Sequence, residues 1–187
     1  MAITVLEKLW TIAQTEAEKH NTKSEYVFSD IGLFLLTPPT NSGIYPTPIN
    51  TSTFAETRGD SVHYGLLHIN GKVTENSPVI MTVPCSCDKP NFVLGENLLE
   101  FLCLGCEVGY GMLEQLAYGW EDMVDYLSRP DHPEREDRDE DAQENLDILT
   151  NTFYLKPWKQ VQGRLEQLDE KYRGLLELPP EPCLPAA

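Results

Sequence analysis

Cysteines and carboxylates are the residues of this chain whose types and spacing best suit chemistry. Cys85-Ser86-Cys87 and Cys103-Leu104-Gly105-Cys106 form two close pairs separated by 15 residues. Four thiolates are a donor set that tetrahedral zinc prefers, so Cys85, Cys87, Cys103 and Cys106 are candidate metal ligands. The second pair falls late in an apolar, helix-like run, where cysteine behaves as a small hydrophobe. It is also at the wrong end of that run for thioredoxin-like redox work, which needs a helix start to lower the thiol pKa. The reading adopted is buried or incidental thiols, with a zinc- or thiol-dependent protein as the alternative. The fifth cysteine, Cys183, stands apart in the tail.

Other constellations carry less. His63 and His68 are five residues apart on a strand-like run, which puts them on opposite faces and prevents shared ligation of one ion. Glu96/Glu100 and Glu121/Asp125 have the i, i+4 spacing that brings carboxylates together on a helix, where they hold a hard cation or face solvent. Solvated faces are the simpler reading. The chain contains neither a P-loop, nor a dinucleotide fingerprint, nor a GxSxG elbow. A Cys–His nucleophile pair stays open, because spatial neighbours do not show in a sequence. No cofactor is implied, and the chain reads as a non-enzyme.

The charge balance restricts partners. Thirty acids against 14 bases give a net charge of −16 over 187 residues. Phosphate recognition needs Lys and Arg, so nucleic acid is an unsuitable partner, as is an anionic membrane surface. A basic protein suits this charge, since opposite fields steer encounter. No apolar run reaches the ~18 residues of a membrane-spanning helix. The start, MAITVLEKLW, resembles no secretory signal, so a cytoplasmic location with reduced thiols is expected.

The elements that must position these residues follow from period and punctuation. Residues 2–20 predict a helix, with Thr4 and Glu7 at capping-box spacing and a stripe of Leu6, Leu9, Trp10, Ala13 and Ala17. Tyr26–Phe28 and Ile31–Leu36 predict short buried strands. Pro38–Ala55, with four prolines, predicts a loop of 18 residues that is neither helix nor central strand. The period becomes two from Ser61, Asn70-Gly71 marks a tight turn, and Lys72–Glu75 and Val79–Val83 predict a return strand interrupted at Asn76–Pro78. Asn91–Leu94 predicts a third strand feeding a helix capped by Asn97. A second helix is expected over Tyr110–Leu127. Ser128–Glu144, with eight acids and three Arg, predicts a solvated linker. A short helix over Leu146–Leu155 precedes a long amphipathic helix over Pro157–Leu178, and 179–187 form a tail.

The run Phe92-Val93-Leu94, Gly95-Glu96-Asn97, Glu100-Phe101-Leu102 joins a core strand, a short turn and a helix with an acid–Phe–Leu ending. Together with the strands from Asp60 onward, it resembles the SUKH superfamily. Its members are α+β proteins known mainly as bacterial immunity proteins against contact-delivered toxins, with a fungal cell-wall glucan-synthesis regulator among its relatives. The resemblance covers residues 60–102. It implies a non-enzymatic binder whose surface captures a basic partner such as a toxin domain. The expected fold is α+β, one domain over residues 1–178, with a mainly antiparallel sheet of four or five strands covered by helices. Candidate partner-binding residues are the acids Asp60, Asp88, Glu96 and Glu107 and the aromatic anchors Tyr45 and Tyr110. A third reading is an oligomeric scaffold joined through the 157–178 stripe. The sequence leaves oligomeric state open.

Overall fold

The computed structural model describes residues 4–133 and 139–181; Cys183 and the middle of the charged linker lie outside the described residues. Thr4 and Glu7 make the capping box that their spacing predicts. The Glu7 N–H donates to Thr4 Oγ1 at 3.1 Å, and the Thr4 N–H donates to Glu7 Oε2 at 2.8 Å. They open α1 (Val5–His20), which Asn21 ends in the left-handed conformation. Leu9, Ala13 and Ala17 are the buried stripe.

Five strands follow: β1 (Phe34–Thr40), β2 (Thr51–Glu56), β3 (His63–Leu67), β4 (Val79–Thr82) and β5 (Asn91–Gly95). They pair antiparallel in chain order, so the fold is α+β with a five-stranded meander. The expected strand at Tyr26–Phe28 is absent: Ser24–Tyr26 and Ser29–Ile31 are single 3-10 turns. Apolar content marked burial there and not pleating, because Phe28 and Ile31 are core residues. The expected 18-residue loop shrinks to residues 41–50. Pro38 and Pro39 belong to β1 at the sheet edge, where a missing N–H is tolerated. Four residues, Leu36–Pro39, bulge there against the single residue Phe54. Asn70 and Gly71 make the predicted turn with φ of 53° and 72°. Lys72 contributes only an isolated bridge to Ile69, and no strand runs through Lys72–Glu75.

Asn97 caps α2 (Leu98–Gly105) by accepting from the Glu100 N–H at 2.9 Å. The single helix expected over Tyr110–Leu127 is divided at Tyr118-Gly119 into a 3-10 segment, Gly111–Ala117, and α3 (Trp120–Ser128). The expected 146–155 helix starts earlier, as α4 (Glu140–Phe153). The long C-terminal helix is shorter than expected: α5 (Val161–Tyr172) continues as one 3-10 turn to Leu175. No helix of the described residues is long and apolar enough to cross a membrane.

The first face of the sheet carries the main core, with α1, α2 and α3 packed on it. Phe101 of α2 is its hub, with ring centroids 4.9 Å from Tyr64, 5.1 Å from Tyr110 and 6.0 Å from Phe54. Each such pair adds about 0.5–1.5 kcal/mol beyond its buried area. The two buried hydroxyls are satisfied: Tyr64 donates to the Tyr110 carbonyl and Tyr110 donates to the Leu102 carbonyl.

The second face is divided. Leu67, Ile80 and Val93 lie side by side under Leu168 and Tyr172 of α5. Beyond them the face turns polar. Register aligns His63, Thr82 and Asn91 across β3, β4 and β5, with Thr51 and Thr53 on β2. Six of the seven buried polar side chains among the described residues belong here, the sixth being Thr47 of the 41–50 loop. That loop covers them and hydrogen-bonds Thr51, His63 and Asn91, while the Thr53 hydroxyl is buried without a partner among the described residues. Asn91 Nδ2 donates to the Pro46 carbonyl at 3.1 Å, and Asn41 Nδ2 donates to the Pro48 carbonyl at 2.8 Å. His63 Nδ1 donates to the Ser61 carbonyl at 2.7 Å, which leaves Nε2 to accept from Thr47 or Ser42, 2.9 and 3.2 Å away.

Two outcomes follow for stability. Burial holds the His63 pKa below its ordinary 6.5, against the opposing pull of the Ser61 carbonyl and the Glu56 charge. The unfolded chain therefore takes up a proton that the folded one resists, so stability is full above about pH 6.5 and falls as pH drops below it. The difference in urea midpoint between wild type and His63→Gln should narrow through that window. Among the glycines, Gly32 has φ +78°, and a Cβ there would lie 2.1 Å from the Gly111 nitrogen. Gly32→Ala should destabilise by about 2–4 kcal/mol in urea titrations, whereas Gly163→Ala, in open space on α5, should stabilise by about 0.5–1 kcal/mol.

Candidate partner-binding surface

The most distinctive surface centres on α4. Asp139 starts this helix, its Oδ1 accepting from the Ala142 N–H at 2.7 Å, and Glu140 and Asp141 complement the helix dipole in the first turn. Ala142, Leu146 and Leu149 pack inward. The chain around them, EDAQENLD, offers four acids and no base. The helix is fixed from outside its core face as well. Asn145 donates to the Val27 carbonyl at 2.8 Å, and Lys8 donates to the Thr152 carbonyl at 2.9 Å with its ammonium 5.0 Å from the Phe153 ring centroid.

Three connected grooves border α4. The first, about 800 Å³, lies between α1 and α4, with Ile12 and Ile148 among Glu16, Glu140, Glu144 and Asp147. It shares Glu16, Glu144 and Ile148 with a smaller groove of about 310 Å³ that reaches Tyr26 and Asp30. Asp30 and Ser29 lead in turn to a third, of about 1160 Å³, where Asp122 and Asp139 accompany the exposed Met112 and Tyr118. Eight carboxylates line the three grooves: Glu16, Asp30, Asp122, Asp139, Glu140, Asp141, Glu144 and Asp147. No Lys or Arg among the described residues lines them. Glu16 is partly offset by Lys19 at 2.7 Å. At the edge of the third groove, burial and the Asp60 charge raise the Glu114 pKa. The result is a long electronegative concavity with apolar patches on its floor.

The residues nominated from sequence are dispersed. Asp60 lies in an exposed turn at φ 31°, and its charge reaches Glu114 and Tyr118. Tyr45 is exposed on the 41–50 loop and Asp88 on the β4–β5 loop; neither lines the α4 grooves. Glu107 is half-buried. Tyr110 is fully buried and satisfies its hydroxyl internally, so it is not a surface anchor. Its aromatic character marked the core.

Glu96 is committed within the chain. It accepts from Arg164 at 2.9 Å, from the Tyr172 hydroxyl at 2.8 Å and from Lys171, and Arg164 also reaches Glu100 at 2.7 Å. The Lys171 and Tyr172 bonds, followed by Arg164, hold the Glu96 pKa down at about 2. These carboxylates clamp α5 to the start of α2. Each part-exposed pair contributes about 0–1 kcal/mol, while each fully buried apolar side chain of α5 contributes about 1.5–3 kcal/mol, so packing dominates the docking and the ion pairs orient it. Glu96 and Glu100 thus face a guanidinium. The second i, i+4 pair is likewise engaged through Asp125, which pairs with Arg129 and approaches His132 at 3.5 Å.

The cysteines are not brought together. Cys85 and Cys87 are exposed, Cys103 is half-buried and Cys106 belongs to the main core. Among the described residues no three His, Cys, Asp or Glu side chains are grouped to hold an ion. His63 and His68 join separate networks, His68 meeting Ser52 at 2.9 Å. Val161, Leu165, Leu168 and Tyr172 of the α5 stripe are buried by their own chain, while Leu175 and Leu178 at its end are exposed.

The sequence places this helix at Leu146–Leu155 and loses its acidic first turns to a linker over 128–144. The signal was present: Asp139 as a cap, then Ala142, Leu146 and Leu149 at helical spacing. Comparison of the chain with protein-family models, with curated proteins and with solved structures finds no match.

Proposed function

We propose that this protein is a non-enzymatic binding module that captures a basic protein partner in the acidic grooves beside α4, in the manner of an immunity protein neutralising a toxin. The carrying observation is the lining of those grooves by eight carboxylates without a described Lys or Arg. Opposite fields of this kind raise association rates and penalise like-charged competitors. Ile12, Ile148, Met112 and Tyr118 supply the apolar contact that charge alone lacks. Exposed methionine suits adaptable packing, and tyrosine combines a large apolar body with a polar tip. The resemblance of residues 60–102 to the SUKH superfamily supports the same reading. Within that stretch the β5-to-α2 step supplies hub and clamp: Phe101 in the core, Glu96 and Glu100 on Arg164.

The test uses a synthetic Lys- and Arg-rich amphipathic peptide as a basic probe. Amide resonances of α4, of the α1 side of the first groove and of Met112–Tyr118 should shift on titration. The triple variant Glu140→Gln/Glu144→Gln/Asp147→Asn removes three charges worth about 0.5 kcal/mol each at an exposed rim, so affinity at low salt should fall about tenfold. Asp88→Asn should leave it unchanged. A probe whose shifts map away from α4, or whose affinity ignores both salt and the triple variant, overturns the proposal.

A further inference from the structure

We propose that the Cys85–Cys87 turn binds one soft monovalent cation of the Cu(I) or Ag(I) class between its two thiolates. The two cysteines flank Ser86 on the loop between β4 and β5. That loop is held at three points. The Val83 N–H donates to the Pro90 carbonyl at 2.7 Å and closes its base. The Ser86 N–H donates to the Val83 carbonyl at 3.0 Å, which makes a tight turn of Val83–Ser86. The Ser86 hydroxyl donates to the Lys89 carbonyl at 3.1 Å. The middle residue of the C-x-C unit is thus tied on both sides, while both thiols remain exposed.

The surrounding charge separates metal capture from redox work. Asp88 is adjacent, and Asp60 and Glu114 act together with Cys85 on the Tyr118 hydroxyl, which places all three near it. Lys89, the one basic residue of the loop, is engaged by other groups. Its ammonium lies 5.0 Å from the Phe92 ring centroid, 5.4 Å from that of Trp120 and 3.3 Å from Asp169. A nucleophilic or redox thiolate needs positive surroundings to stabilise its charge. Carboxylates instead concentrate cations.

The ligand count selects the ion. Zinc takes four sulfur or nitrogen donors. Cys103 is half-buried and Cys106 is only 8 % exposed within the core, and no described group of three donors exists. Two thiolates suit a soft ion that accepts low coordination, and thiolate softness favours Cu(I). Binding is an exchange without electron transfer: the cation forms two metal–sulfur bonds, two S–H bonds break, and two protons leave to solvent.

The experiment is an anaerobic titration of the reduced full-length chain with Cu(I), against a chromogenic Cu(I) chelator. One Cu(I) per chain, two protons released, two sulfur neighbours by X-ray absorption and no competition from equimolar Zn(II) are expected. Cys85→Ser and Cys87→Ser should each abolish stoichiometric binding and, being exposed changes, should leave the thermal transition in place. Cys103→Ser should bind as wild type does. Binding that survives Cys85→Ser, that depends on Cys103, or that occurs only as a metal-bridged dimer overturns the proposal.

Discussion

Every residue of β3, β4 and the edge strand β5 is buried, whichever face of the sheet it points to. That double burial is the constraint on which the rest of the molecule depends. An antiparallel sheet of this kind commonly keeps one wet face. Here both faces need cover, and the chain supplies two different ones. Helices α1, α2 and α3 close the first face with a continuous apolar core gathered on Phe101. The second is closed half by α5 and half by an irregular loop, which requires polar groups beneath it.

The two halves of the second cover are secured by different physics. Under α5, packing provides the energy and the Glu96–Arg164–Glu100 cluster fixes the angle of approach. Under the 41–50 loop, backbone carbonyls that pair with no strand need donors. Asn91 and Thr51 supply them from below, the latter donating to the Pro48 carbonyl at 2.7 Å, and Asn41 supplies one from within the loop. A buried hydroxyl or amide is stabilising only when satisfied, so this arrangement holds the loop to one conformation. Glu177 extends it, accepting at its carbonyl from the Ile49 N–H at 2.8 Å and joining loop to C-terminal segment. The acidic grooves lie elsewhere, along α4, and the covered sheet serves them as a rigid base.

Legibility in the sequence followed the range of the forces involved. Local signals were readable: the Thr4–Glu7 box, the Asn70-Gly71 turn and the Asn97 cap each depend on residues within a few positions. Elements stabilised by distant partners were not. Tyr26–Phe28 looked like a strand because it is apolar, but strandedness needs a neighbour that only the fold supplies. Tyr110 looked like an anchor because aromaticity marks cores and interfaces alike. The acids of α4 read as linker because charge density outweighed a three-residue apolar stripe. Glu96 illustrates the remaining gap: its partners Arg164, Lys171 and Tyr172 lie 68 to 76 positions away.

The prolines of β1 have a consequence for recognition. Pro38 and Pro39 remove backbone donors from the edge strand β1, and the bulge at Leu36–Pro39 breaks its register. An added strand, from another protein or from a second copy, would find no continuous ladder there. Main-chain pairing is indifferent to sequence and invites promiscuous assembly. By closing that route at β1, the fold leaves association on this side to side-chain chemistry, which can discriminate between partners.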